Sequence, residues 1–578
     1  MGKDLFRITQ VAMIGISLFS SHYLYAATTT IEGKPDGASL AQSIKPVTSC
    51  SSLASVDLTV IGGAGSNVTS ATASVIDGQS VCTVEGVLAP SIGFKVKLPE
   101  NNWQQRFLQI GCGGLCGSIS EQVGAASGCE PVTNGEFVIS ATDMGHQGMG
   151  GEFGKDPQKR ADFAFRSLHL TSVTSKALIK AFYGKDPAYS YFSGCSDGGR
   201  EALIEAQRYP DDFDGIIAGA PAMNFEVQNG IYHPWLAQSN TGKDGKPIVL
   251  ANRLPLIHQA VLEKCDTLDG QKDGLISEPL SCQFDPAILQ CKTGEKDAAD
   301  CLTQEEVTAV QRFYKGPTDP TTGKSMIAGG PLPGSELAWA GVFVPNSKDE
   351  PIFSKIIASG ARSVLFKDIP DDTNFSFSTM KFDSKLFADL KAMHSFYDST
   401  NPDLSAFYAR GGKLILWHGW ADQHISPVNT IEYHKAVVKF MGEKKASAFE
   451  RLYLLPGMYH CEGGEGPNQI DLLTPMMNWV EQGHAPQAIL AKKPHVDEKT
   501  DFGTPVRDKK GGDAAAKPVA QTKIDATRPV YPFPYIAVYK KHGDVNEAEN
   551  YQPVKMKNAG KSPDWLGNDL FKPYPLIN

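Results

Sequence analysis

The stretch YSYFSGCSDGGREALIEAQRY, Tyr189 to Tyr209, decides the fold of this chain. Tyr189–Phe192 is short, aromatic and β-prone, and Arg200–Tyr209 repeats apolar residues at helical spacing. Between them Gly194-Cys195-Ser196-Asp197-Gly198 forms a G-x-S-x-G turn. Its glycines permit the strained backbone that lifts a serine hydroxyl above a sheet. The five-residue pattern is common by chance. Framed by strand and helix, it predicts a nucleophile elbow at Ser196.

Upstream of the elbow, Phe107–Ile110 and Phe137–Ala141 are β-rich and Asp162–Tyr183 has helical spacing. Downstream, Phe213–Ala218 is a buried-strand pattern, and the same grammar returns at Lys413–Trp417 and Arg451–Leu455, separated by a helical Val428–Met441. Strands alternating with helices predict an α/β-hydrolase type of parallel sheet. From Met223 to about position 400 the grammar changes to Pro-, Gly- and Asp-rich sequence with four of the cysteines. We expect a core built from residues 27–222 and 401–578, interrupted by a lid inserted at 223–400. A polar loop ending at Ala514–Lys517 leads into a Pro- and Tyr-rich tail, Arg528–Tyr539.

The 578 residues carry 41% hydrophobic and 21% charged side chains, with 28 Phe and 7 Trp to bury, which excludes a disordered or low-complexity chain. Asp+Glu 64 exceed Lys+Arg 55, and a net charge of −9 argues against nucleic acid as a partner. Lys3 and Arg7 precede an apolar run from Ile8 to Phe19 that ends near Tyr25-Ala26-Ala27. This is the pattern of a signal peptide over residues 1–26. Ser17, Ser20, Ser21 and His22 keep the run short of the ~20 apolar residues a membrane span needs. A secreted or periplasmic protein without stable membrane insertion is expected. Eleven cysteines suit such an oxidising compartment, and their odd number leaves at least one thiol free.

A serine nucleophile needs a base, and the base an orienting acid, in the chain order Ser, acid, His on this fold. His460 follows Arg451–Leu455 through the turn Pro456-Gly457-Met458-Tyr459. Asp422 sits in the loop after Lys413–Trp417, with His418 and His424 as rival histidines. The cysteines decide between them. Cys195 precedes Ser196 and Cys461 follows His460, so a triad with Ser and His ~3 Å apart would bring the two cysteines within bridging range.

These residues carry a resemblance. Cys195-Ser196, Asp422 and His460-Cys461 resemble the tannase and feruloyl esterase family, whose Cys-Ser…Asp…His-Cys triad is disulfide-linked. Residues 194–222 (GCSDGGREALIEAQRYPDDFDGIIAGAPA) are similar to its nucleophile segment and 417–427 (WHGWADQHISP) to its acid loop. The family includes tannases, feruloyl esterases and mono(2-hydroxyethyl) terephthalate hydrolase. The resemblance implies a serine hydrolase cutting small aromatic esters, of the plant polyphenol or cell-wall type. Its terephthalate members use a lid arginine for the substrate's free carboxylate, and Arg362 is the one late in this lid.

An oxyanion hole needs two backbone N–H groups. One is expected from Asp197, after the nucleophile, and the other from Gly113 or Gly114 in Gly111-Cys112-Gly113-Gly114. In the lid, Asp266, Asp269 and Asp273 crowd three carboxylates into eight residues, a density that suits a hard cation such as Ca2+. The resemblance implies a lid calcium held by these three, with backbone oxygens of Gln271 and Leu275. Cys265–Cys282 and Cys291–Cys301 then read as lid staples and Cys50–Cys82 as the N-terminal pair. Of Cys112, Cys116 and Cys129 two are expected to pair, with Cys116–Cys129 favoured. Phe366-Lys367-Asp368 and Asn374-Phe375-Ser376-Phe377 are aromatic candidates for stacking on substrate, a core role being the alternative. Two competing readings are a non-catalytic binding protein on a hydrolase scaffold, which would carry a broken triad, and a serine peptidase.

Overall fold

The computed structural model describes residues 42–292, 299–368, 379–495 and 523–576. The expected signal peptide, the Asn374–Phe377 cluster and the loop ending at Ala514–Lys517 lie outside them. Nine strands form one sheet: β1 (Asn67–Ile76), β2 (Gln79–Leu88), β3 (Ile92–Pro99), β4 (Arg106–Ile110), β5 (Phe137–Thr142), β6 (Tyr189–Cys195), β7 (Gly215–Gly219), β8 (Lys413–Gly419) and β9 (Glu450–Leu455). Their order is β1-β2-β3-β5-β4-β6-β7-β8-β9. From β5 to β9 all neighbours are parallel, while β1, β2 and β3 form an antiparallel ribbon joined antiparallel to β5. This is the α/β-hydrolase arrangement expected from the sequence.

The parallel strands are covered on both faces, which is why they read as continuous apolar runs. Phe107, Phe192, Ile216, Leu414, Leu416, Leu452 and Leu454 enter one core. Their alternates Leu108, Tyr191, Ile217, Ile415, Trp417, Tyr453 and Leu455 enter a second. The period of two along each strand therefore sorts side chains between two cores. Truncating any of these leucines to Ala costs about 2–5 kcal/mol.

The longer helices are α1 (Ser167–Tyr183), α2 (Asp197–Arg208), α3 (Leu254–Cys265), α4 (Gln304–Lys315), α5 (Phe353–Leu365), α6 (Pro427–Met441) and α7 (Leu473–Gln482). The expected helix Asp162–Tyr183 begins as a π-turn over Asp162–Arg166 before α1. Helices α3, α4 and α5 lie in the segment connecting β7 to β8. Thr303 and Glu306 form a capping box that starts α4. The segment shares the main core, with Leu254, Phe313 and Trp339 in the cluster that holds Phe192.

The tail is more regular than its Pro and Tyr content suggested. β10 (Gln469–Ile470), β11 (Ile489–Pro494) and β12 (Ile524–Val530) form a small antiparallel sheet, and β13 (Tyr535–Tyr539) pairs with β14 (Tyr551–Lys555). Tyr453 of β9 bridges to Pro532, and the Phe533 N–H donates to Leu452 O at 2.7 Å. No helix among the described residues is long and apolar enough to cross a membrane.

Candidate active site

Strand β6 delivers Ser196 into the turn before α2, with φ 66° and ψ −121°. A non-glycine residue tolerates this left-handed strain only when its surroundings fix it. Here the Ser196 N–H donates to Gly219 O at 3.0 Å on the neighbouring strand. Glycines allow the close approach. A Cβ on Gly194 would lie 2.3 Å from Gly198 O, and one on Gly111 2.6 Å from Gly198 Cα.

Three side chains from three strand ends meet above the sheet. Ser196 Oγ lies 2.9 Å from His460 Nε2. His460 Nδ1 lies 2.7 Å from Asp422 Oδ2. Asp422 follows β8 and is fully buried. Its Oδ1 accepts the backbone N–H groups of His424 at 2.8 Å and Ile425 at 2.9 Å. Burial works to raise its pKa, but the charge of His460 and hydrogen bonds from His418 and His460 outweigh it and hold the carboxyl far below its usual range. The acid is therefore an anion able to fix the imidazole tautomer that leaves Nε2 facing the hydroxyl. Of the rival histidines, His418 Nε2 lies 3.0 Å from Asp422 Oδ2, and the His424 ring lies 4.9 Å from that of His460, tilted by 57°.

Cys195 and Cys461 are disulfide-bonded, with Cα atoms 6.0 Å apart across a sequence separation of 266. Cys50–Cys82, Cys265–Cys282 and Cys291–Cys301 are also joined. The favoured Cys116–Cys129 pair is not formed. Cys112 bonds Cys116, and Cys129 is a buried free thiol. The sheet explains the correction: Cys116 packs in one core and Cys129 in the other. Burial pushes the Cys129 thiol pKa up, so it is a poor thiolate.

Asp197 opens α2, and the first N–H groups of a helix have no partner inside it. Opposite stands the loop of Gly111 to Cys116. Gly114 has φ 65°, the left-handed conformation that favours glycine, and the space where Gly113 would carry a Cβ is open. This pairing of loops can cradle a negative oxygen beside Ser196 Oγ. Atoms of Cys112, Cys116, Asp197 and Glu201 that could bind metal lie within 4.8 Å of one another, but a disulfide consumes both thiols.

The acidic turn in the segment between β7 and β8 begins at the Cys265–Cys282 bridge. Asp266 accepts the N–H groups of Asp273 and Gly274 at 3.1 and 3.0 Å, and Asp269 that of Gln271 at 2.9 Å. Burial raises the pKa of both Asp269 and Asp273, although Arg528 of β12 binds Asp273 at 3.0 Å. Asp266 is buried and Asp269 and Asp273 are half-buried, and among the described residues the three carboxylates are not gathered within 4.8 Å of one another. Phe366 is buried, and its carbonyl accepts from Arg160 Nη2 at 2.8 Å, so it belongs to the core. Arg362 lies close to Glu152, whose carboxyl is held down by Lys155 and more weakly by Arg362.

The sequence reading missed Glu201 under the Gly-rich loop and Gln423, whose Oε1 accepts the His460 N–H at 3.2 Å, and it weighed His418 only as a rival to His460. The available signal was the set Asp197, Arg200 and Glu201, charged residues at helical i, i+3, i+4 spacing in a segment that is otherwise small and apolar.

The family model described as tannase and feruloyl esterase matches residues 74–554. Mono(2-hydroxyethyl) terephthalate hydrolase of Piscinibacter sakaiensis is 34% identical over 548 residues, covering 83% of this chain and 86% of that protein. Feruloyl esterase B of Aspergillus niger is 30% identical, covering 68% of this chain and 75% of its own. The crystal structure of feruloyl esterase B from Aspergillus oryzae superposes with a TM-score of 0.72 at 26% identity, over 88% of this chain and all (100%) of that one. The chain belongs to the tannase and feruloyl esterase family of carboxylic ester hydrolases.

Proposed function

We propose that this protein is a secreted or periplasmic serine esterase that hydrolyses esters of aromatic carboxylic acids through an acyl-enzyme. The observation carrying the reading is the continuous chain from Ser196 Oγ through His460 to Asp422, at 2.9 and 2.7 Å. Ser196 Oγ attacks the ester carbonyl as His460 Nε2 takes its proton, and the N–H groups of Asp197 and of Gly113 or Gly114 receive the oxyanion. Collapse breaks the ester bond, and His460 returns the proton to the departing alcohol. Water then attacks the acyl-Ser196 ester with His460 again as base, releasing the acid and restoring the hydroxyl. Asp422 holds the imidazole and balances its transient charge.

The names of the family and its relatives support the substrate class: tannins, feruloyl esters and mono(2-hydroxyethyl) terephthalate. An unbroken triad argues against a binding protein that has lost catalysis. In the lid, Asp266, Asp269 and Asp273, with backbone oxygens of Gln271 and Leu275, would hold Ca2+. The ion would neutralise the acidic turn and stiffen it. The charged and apolar segments at residues 1–26 support export.

The test compares methyl gallate, methyl ferulate, mono(2-hydroxyethyl) terephthalate and a peptide amide as substrates for the wild type and Ser196→Ala. Ester turnover that vanishes in a folded Ser196→Ala variant is the expected result. Near-normal turnover in that variant, or amide cleavage outpacing every ester, would reject the reading.

A further inference from the structure

Glu201 stands one turn into α2 and takes no part in the proton relay, yet its side chain is fully buried. Its Oε2 accepts the Cys112 N–H at 3.2 Å. Its Oε1 lies 2.8 Å from Cys112 Sγ and 3.3 Å from Cys116 Sγ. Both sulfurs belong to the Cys112–Cys116 disulfide and have no hydrogen to give, so neither contact is a hydrogen bond donated by sulfur. On its other side Glu201 is hydrogen-bonded to Asp197. Asp197 is held in turn by Arg200 Nε at 2.6 Å and Nη2 at 3.0 Å. Burial, then the charge of Asp197, push the Glu201 carboxyl well above the usual carboxylate range, which favours its neutral, protonated form.

A neutral carboxyl offers an acceptor and a donor, and here the two face different loops. The acceptor holds Cys112, next to Gly113 and Gly114; the donor holds Asp197, the opposite side of the oxyanion cradle. No side chain can stand between them, because a Cβ on Gly111 would meet Gly198 Cα at 2.6 Å and Glu201 Oε2 at 2.8 Å. The disulfide closes the Gly-rich loop on itself, and Glu201 ties that closed loop to the helix.

We propose that Glu201 is a positioning residue that sets the spacing between the two backbone donors of the oxyanion hole. The inference rests on the serine-esterase reading. The donors act on charge that develops in the transition state, so their misplacement falls on kcat and leaves KM nearly unchanged. Losing one oxyanion donor costs on the order of 10²–10³ in kcat, which bounds the effect.

The experiment uses the full chain with its disulfides formed and the best ester from the substrate panel. Glu201→Met keeps length but removes both hydrogen-bonding functions. Its kcat should fall at least ~10-fold, with KM within about threefold of wild type. Glu201→Gln restores an acceptor and a donor, and should recover most of that loss. Glu201→Asp, which withdraws the carboxyl by one methylene, should behave like Met and substitutes for it if Met does not melt as a folded protein. A folded Met or Asp variant with normal kcat overturns the proposal, as does a Gln variant as impaired as Met. Unfolding of both Met and Asp variants overturns it in favour of a purely structural role. Ser196→Ala, run alongside, separates the two levels: residual ester turnover there removes the serine mechanism itself, whatever Glu201 does.

Discussion

Replacing Cys195 and Cys461 together by Ala should damage catalysis more than folding. The bridge closes a separation of 266 residues. The chain-entropy relation assigns such a loop about 5–6 kcal/mol, an upper bound on the stability lost. The four other disulfides and two cores remain. At about 2 °C per kcal/mol for a large domain, the melting temperature should drop by no more than about 12 °C. The catalytic cost has a different origin. Each cysteine is the covalent neighbour of one reacting side chain, and both Ser196 and Cys461 hold φ 66°. Released from the bridge, the two turns can relax apart. A displacement of ~1 Å between nucleophile and base costs on the order of 10²-fold in rate. Ester turnover at 25 °C, beside a thermal melt of the same sample, reads both quantities. A folded double variant with turnover within twofold of wild type would refute the reasoning and reduce the bridge to a clasp.

Asp422→Asn should lose on the order of 10⁴ in kcat, because the amide no longer fixes the His460 tautomer; full activity in a steady-state assay would assign the acid to another residue. Chelation should lower the melting temperature and excess Ca2+ should restore it, whereas Asp269→Ala should melt alike in both; a chelator-insensitive wild type rejects the lid ion. Asp143 is a pH probe: burial raises its pKa from 3.8 to about 6, so its contribution to stability is complete below 3.8 and is lost as pH rises through 6. Asp143→Asn keeps an acceptor for the N–H groups of Gly93 and Gly145, and should therefore gain in melting temperature relative to wild type between pH 4.5 and 7.5; a pH-independent difference contradicts this.

What could be read in the sequence was whatever repeats locally. β4 to β9 are short apolar runs bounded by turns, and the elbow announces itself through glycines whose removal the packing forbids. The triad followed from chain order and from two cysteines flanking two candidate side chains. β1 escaped notice because most of its residues are exposed and it carries Ser, Thr and Ala where a strand usually carries large apolar groups. The C-terminal strands escaped because β11, β12 and β14 each carry a proline, Pro494, Pro529 and Pro553, which ordinarily argues against a strand. The Cys112–Cys116 pair is local, but choosing it over Cys116–Cys129 requires knowing that a sheet separates the alternatives. Glu201 is legible only in three dimensions, since Cys112 is brought to it from the end of a different strand, β4.

The outer flank of β9 has a mechanical consequence. An edge strand is where a sheet begins to fray, and β9 is the last strand in the order and feeds the turn that holds His460. Its flank is not left bare, because Tyr453 bridges to Pro532 and Leu452 accepts the Phe533 N–H. Proline has no N–H with which to recruit a further strand. The tail thus seals the sheet against strand addition by another chain and keeps the base on a strand that behaves as an interior one. Opening of that strand, followed by hydrogen exchange, should require the segment around Pro532 to detach first, so that nucleophile and base share one protected unit.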